Sequence, residues 1–217
     1  VFPLQLWSFF IGLIIASVIY LLRQHPPKKL YEFGLLGAGT IVAYSLSIST
    51  AVSVEGNYLS LFLAGSIALC AMILPGISGS FILVLLGLYP VFINALVNVE
   101  LDFLLTFAAG GVIGLMLFSR LLSWLLDHYK QAVIATMCGF LIGSLSILWT
   151  WKQVTSSIVS ESGKLEITGS ANLSPQSYLD TVGQDPHTLV CVLLCLLGLF
   201  LVLTIEIIGV KLKNKVT

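Results

Sequence analysis

From residue 4 to residue 22 the chain carries no charged side chain, and the pattern recurs along its length. Apolar runs fill 33–52, 59–74, 81–97, 103–126, 132–151 and 187–210. A helix needs about 20 apolar residues to cross the hydrocarbon core, and several of these runs reach that length. Charged residues make up only 9% of the chain and hydrophobic ones 58%, whereas a soluble domain has roughly 25% charged residues. The chain therefore reads as all-α: a polytopic α-helical integral membrane protein whose first partner is the lipid bilayer. Its formal net charge is zero, so a nucleic-acid partner has no electrostatic support.

Charge placement orients the spans. No basic flank precedes the first run and no small-residue cleavage site interrupts it, and Arg23 follows it. That is the pattern of a span rather than a signal peptide. Arg23, Lys28 and Lys29 sit beside Pro26 and Pro27 in the next connection. Arg120 and Lys130 flank another, and Lys211, Lys213 and Lys215 close the chain. By the positive-inside rule these belong in the cytoplasm. Glu55, the Glu100/Asp102 turn and the polar loop 152–186 then belong outside, and the C-terminus inside.

Residues 59–74 and 81–97 are both short for a span. Between them runs Leu74-Pro75-Gly76-Ile77-Ser78-Gly79-Ser80. Irregular backbone at membrane depth must be buried in protein or line a wet cavity, and Gly- or Pro-interrupted apolar segments point to transporter binding sites. The pair either crosses or dips in and returns. The short arms and uncharged turn favour a re-entrant or broken-helix pair. Pro75 ends a helix, Gly76 and Gly79 allow close approach, and Ser78 and Ser80 offer hydroxyls. Free amides at the start of the helix after the break would complete an anion site. A Ser N-cap in a packed turn is the plainer alternative.

Two charges lie inside apolar runs. Arg120 either snorkels to the interface or turns its guanidinium fork toward a phosphate. Glu206 is costly at membrane depth. It is either paired, for example with Arg120, or it titrates and couples transport to protons. Gly110/Gly114 and Gly139/Gly143 form GxxxG pairs suited to close helix packing. Trp7, Trp124, Trp149 and Trp151 fall near span ends, as interfacial anchors do. The four cysteines lie in apolar runs with no histidine or carboxylate set beside them, so neither a metal site nor another cofactor is expected. Nothing in the sequence supports catalysis by an enzyme.

The run Met72-Ile73-Leu74-Pro75-Gly76-Ile77-Ser78-Gly79-Ser80-Phe81-Ile82-Leu83-Val84-Leu85-Leu86-Gly87-Leu88-Tyr89 resembles a signature of the bacterial and archaeal polyprenyl-phosphate (undecaprenyl-phosphate) transporter family. Pro3 to Phe10, Phe118 to Trp124 and the last run with Glu206 resemble it too. The resemblance implies a flippase-like transporter that returns a lipid phosphate across the cytoplasmic membrane for envelope polymer synthesis. Its headgroup would sit at Pro75, Gly76, Ser78, Gly79 and Ser80, helped by Arg120. Glu206 would serve a coupling ion, proton or sodium. Complete members carry an earlier, related Pro-Gly-x-Ser-Gly-Gly-Thr motif. It is absent here, so the chain is expected to be the C-terminal two-thirds, a single helical membrane domain forming one part of an inverted-repeat fold. Members often carry Ser-Leu-x-x-x-Trp-Pro-Trp, where this chain reads Ser144-Leu145-Ser146-Ile147-Leu148-Trp149-Thr150-Trp151. Two other classes fit the residues alone: a transporter or channel for a small soluble anion, and a membrane scaffold. Oligomeric state is not legible.

Overall fold

The computed structural model describes residues 3–49, 56–159 and 165–216. The chain forms helices α1 (Pro3–Gln24), α2 (Leu30–Ile48), α3 (Tyr58–Ile73), α4 (Gly79–Leu85), α5 (Tyr89–Val97) and α6 (Leu101–Ser144). Strands β1 (Lys152–Val159) and β2 (Leu165–Asn172) follow, then α7 (Pro175–Val182) and α8 (Thr188–Val216). Among the described residues three helices are long and apolar enough to cross a membrane, or four if α4 and α5, bent by 113°, count as one span. The expected polytopic helical membrane fold is present. Glu55 lies outside the described residues.

Two compact units divide the chain. The first comprises Val1–Ser47, Ile134–Val154 and Ser170–Thr217, and the second Ile48–Val133 and Thr155–Gly169. In the first unit α1 and α8 run in the same direction. Gly12 meets the Cys195 carbonyl, and a Cβ on Gly198 would stand 2.5 Å from the Phe9 carbonyl oxygen. The end of α6 runs parallel to α2 in the same way. Gly39 packs on Thr136, Gly139 on Leu36, and Gly143 on Thr40 and Ala43, and Ser47 and Ser146 share a 2.8 Å hydroxyl bond. Gly139 and Gly143 thus make the close contacts their spacing predicts.

Glu32 explains where α2 begins. It sits at the third helical position, and its carboxylate reaches back to accept the N–H groups of Lys28 (2.5 Å) and Lys29 (3.1 Å). That is half of a capping box. These two bonds hold the buried carboxyl below the usual carboxylate range.

Several boundaries differ from expectation. The run 81–97 is two helices. Leu88 N–H bonds the Leu83 carbonyl and Gly87 N–H the Val84 carbonyl, both at 3.0 Å, with Gly87 at φ 68°. This is a Schellman stop, completed by contact between buried Leu83 and Leu88. The expected turn at 127–130 reduces to one non-helical residue, Tyr129, inside α6. The run 132–151 leaves the helix at Ser144, whose hydroxyl bonds back to the Leu141 carbonyl (2.9 Å). Such local bonds compete with the helical ladder.

The segment expected as a polar loop, 152–186, contains a two-stranded sheet and α7. Its base is tied down through backbone carbonyls. Lys152 Nζ donates to the Ile147 carbonyl, and Asn172 Nδ2 to that of Ser146 (3.0 Å). Burial draws the Lys152 ammonium below the usual lysine range. Trp149 and Trp151 are also tied to the protein. Their indole N–H groups donate to the carbonyls of Leu173 (2.8 Å) and Pro186 (3.0 Å). Trp151 is buried with Tyr178 and Cys191, while Trp7, Trp124 and Trp149 are exposed.

Gly65→Leu, which would drive a side chain into the Phe107 backbone, should destabilise by about 1–3 kcal/mol or more. Gly34→Ala, in open space within α2, should stabilise by about 0.5–1 kcal/mol, both read by chemical denaturation in detergent. Because Glu32 is depressed on folding, its contribution is present above its unfolded value near 4.5 and is lost as pH falls through the folded value. A pH titration of stability should show this acid loss in wild type and lack that component in Glu32→Gln.

Candidate functional site

The second unit builds the break as the tip of a hairpin. Asn57 caps α3, its side chain accepting the Ser60 N–H (2.8 Å). Helix α3 ends at Ile73, and Leu74, the residue before Pro75, is extended (φ −79°, ψ 125°), as the restriction on residues preceding proline demands. Leu74, Pro75, Gly76 and Ile77 then make a turn in which Ile77 N–H reaches the Leu74 carbonyl at 3.4 Å. Gly76 has φ 88°. Proline followed by a positive-φ glycine is the type II β-turn signature.

Beyond the turn the chain doubles back along α3. A Cβ on Gly79 would stand 2.8 Å from the Ala68 carbonyl oxygen and 2.9 Å from Met72 Cγ. Leu83 packs with Ala64 and Ala68. Val91, at the start of α5, comes to 3.2 Å from where a Cβ on Gly56 would lie. Partners thus move steadily back toward the start of α3, so the chain returns to the end it entered from. Sixteen residues of α3 at 1.5 Å per residue put the tip about 24 Å from that end.

At the tip the polar groups are only partly paired. Ser78 holds the N-cap position of α4 with φ −99° and ψ 132°, yet its side chain makes no cap bond. Its hydroxyl instead lies 2.8 Å from that of Ser80. The first bond of α4 runs from Ile82 N–H to the Ser78 carbonyl at 3.1 Å. The N–H groups of Gly79, Ser80 and Phe81 precede it and have no acceptor among the described residues. Gly76, Ser78 and Ser80 are exposed, Pro75 is half-buried and Gly79 is buried. Helix α4 has only seven residues, shorter than the expected run from Phe81. Individual amides and hydroxyls, rather than a long helix dipole, are what the tip offers an anion.

Helix α6 runs parallel to α3. Tyr58 and Phe103 pair at 5.0 Å between ring centroids, and Gly110 meets the Phe62 carbonyl. A Cβ on Gly114 would lie 2.7 Å from Ser66 Cα, and Ser66 Oγ donates to the Gly110 carbonyl (2.7 Å). The Gly110/Gly114 expectation holds here too. Extended along α6, this register brings Arg120 level with the break. The helical period turns it away from the Phe107/Gly111/Gly114 stripe, by roughly 150° at 3.6 residues per turn, and it is exposed. Within this unit the structure therefore gathers Pro75, Gly76, Ser78, Gly79 and Ser80 and leaves Arg120 off the α3-facing side. Glu206 belongs to the first unit, in α8. One of its carboxylate oxygens is covered and has no hydrogen-bond partner among the described residues.

The Ser78–Ser80 pair is exposed, so it contributes little to folding. Ser78→Ala and Ser80→Ala should each change unfolding free energy by less than about 1 kcal/mol. Denaturation midpoints and membrane abundance check this.

The family model for VCA0040-like proteins, described as undecaprenyl phosphate translocase-like, matches residues 1–166. A polyprenyl-phosphate transporter of Vibrio cholerae is 42% identical over 204 residues, covering 94% of this chain and 66% of that protein. A polyprenyl-phosphate transporter of Staphylococcus aureus is 34% identical over 156 residues, covering 63% of this chain and 55% of that protein. The chain thus spans less than two-thirds of the length of these curated relatives. No solved structure matches it significantly.

Proposed function

The chain belongs to the undecaprenyl phosphate translocase-like family, and from that premise we propose that it carries a polyprenyl phosphate across the cytoplasmic membrane. The observation that carries this reading is the uncharged hairpin tip, with three free amides and two hydroxyls at its apex. The phosphate monoester is held there while the prenyl tail stays in lipid. The carrier returns to the inner leaflet after delivering its cargo, and no covalent step is needed, so the protein acts as a transporter and not as an enzyme.

Magnitudes favour a site of this kind. A charge at the bilayer centre costs from about 3 to about 17 kcal/mol, depending on the scale. Hydrogen bonds to a charged group contribute about 1.5–3 kcal/mol each. The three amides, with the hydroxyl left free by the Ser78–Ser80 bond, are of the right order to offset that cost. A fixed cation at the same point would add attraction that slows release. Arg120 serves at the rim, where an exposed guanidinium level with the tip meets the headgroup as it enters or leaves. Glu206 is the coupling carboxylate, supported by its covered and unpartnered oxygen, with a proton as the coupling ion in preference to sodium.

Parallel packing supports the orientation. Helices α1 and α8 run together, so Arg23 and the C-terminal lysines lie toward one end, which we assign to the cytoplasm. The charge pattern of the sequence, by itself, has the hairpin start and finish outside.

The test is reconstitution of the complete protein in liposomes and measurement of undecaprenyl-phosphate movement between leaflets. Ser78→Ala combined with Ser80→Ala should lower the rate at least about tenfold, the loss of roughly 1.4 kcal/mol, at unchanged abundance. Wild-type rates in the double variant would remove the tip from the mechanism. Inhibition by free inorganic phosphate together with its uptake would favour a small-anion transporter.

A further inference from the structure

Helix α7 is fixed at a definite depth. Ser174 caps its start, its hydroxyl accepting the Ser177 N–H (3.1 Å). Gly183, at φ 70°, ends it by donating its N–H to the Leu179 carbonyl (3.0 Å). Tyr178 is buried against Trp151 and Cys191, and Leu4 packs on the same cluster. Cys191 and Leu4 lie in the first turns of α8 and α1, both helices long and apolar enough to span. Helix α7 therefore sits where two parallel spans begin.

The eight residues of α7 divide cleanly around the helix. At about 100° per residue, Tyr178, Val182, Pro175 and Leu179 fill one arc, and Gln176, Asp180, Ser177 and Thr181 the other. Tyr178 uses one edge of the apolar arc to hold the protein. Leu179 and Val182, toward the other edge, are 49% and 37% exposed. At the same level the first turns of the spans also expose apolar side chains, Leu6 and Trp7 on α1 and Leu189 on α8. Exposed apolar side chains on helices of spanning length suit lipid rather than water at that level.

We propose that α7 is an interfacial helix that seats Leu179 and Val182 in the lipid surface at the end where α1 and α8 begin. Its partner is the bilayer itself. No lysine or arginine lies on α7 and Asp180 does, so attachment is by apolar insertion rather than by attraction to anionic headgroups. By holding Trp151 and Tyr178 at that level, the helix fixes Lys152 and Asn172, the outer ends of β1 and β2, near the membrane surface.

The test places a nitroxide label at Leu179→Cys, Val182→Cys, Asp180→Cys or Thr181→Cys, one at a time. The background carries Cys70→Ser and Cys195→Ser, because Cys138 and Cys191 are buried. The full chain is reconstituted in phosphatidylcholine nanodiscs, and accessibility to oxygen and to a water-soluble nickel chelate is measured. Positions 179 and 182 should read roughly 5–10 Å below the headgroup boundary, positions 180 and 181 as aqueous. Adding phosphatidylglycerol should leave the depth unchanged. Aqueous readings at all four positions would overturn the proposal, and so would a depth that follows the anionic lipid. Loss of access to both probes at 179 and 182, with spin–spin broadening, would mean that a second copy covers the face, and would overturn it too.

Discussion

A backbone amide in hydrocarbon has no water to bond, and leaving it unpaired costs several kcal/mol. Much of this chain can be read as a set of answers to that constraint. Asn57 caps the start of α3 and Glu32 that of α2. Gly87 closes α4, and Lys152 and Asn172 reach back to the carbonyls beyond the end of α6. At Ser78 the same device is withheld. The cap position is occupied by a residue able to cap, and its hydroxyl is turned to Ser80 instead. The start of α5 also lacks a side-chain cap, but Pro90 removes one donor there and its cap residue, Leu88, has no polar side chain.

Glycine makes this arrangement possible at a distance from the tip. Gly65, Gly110 and Gly114 let α3 and α6 approach backbone to backbone, and Gly79 lets α4 lie against α3. Without a hydrophobic drive between helices in lipid, such close contact is the main source of association. The packed pair keeps the hairpin arms rigid, so the polar tip is held in place rather than relaxing onto its own amides.

The break at residues 75–80 and the helical membrane fold were legible because proline, glycine and missing charge are strong local signals. The Gly110/Gly114 and Gly139/Gly143 contacts were legible for the same reason. Gly87 was legible in principle, since Gly-Leu-Tyr-Pro is a stop followed by a proline start, but the unbroken apolarity of 81–97 masked it. The end of α6 at Ser144 depends on a hydroxyl bonding back to its own turn, which apolar length does not reveal. Trp151 looked like an interfacial anchor because its neighbours Tyr178 and Cys191 are distant in sequence. The face of Arg120 could be read only once contacts with α3 had fixed which stripe of α6 points inward.

The uncharged hairpin tip is the proposed seat of the lipid phosphate headgroup. A direct measurement is the reaction rate of a thiol placed by Ser78→Cys with a small water-soluble reagent, with the complete protein in nanodiscs. The account predicts that undecaprenyl phosphate slows labelling in a saturable way, while the uncharged alcohol undecaprenol does not. Equal labelling with and without undecaprenyl phosphate, at concentrations that support its movement between leaflets, would contradict it.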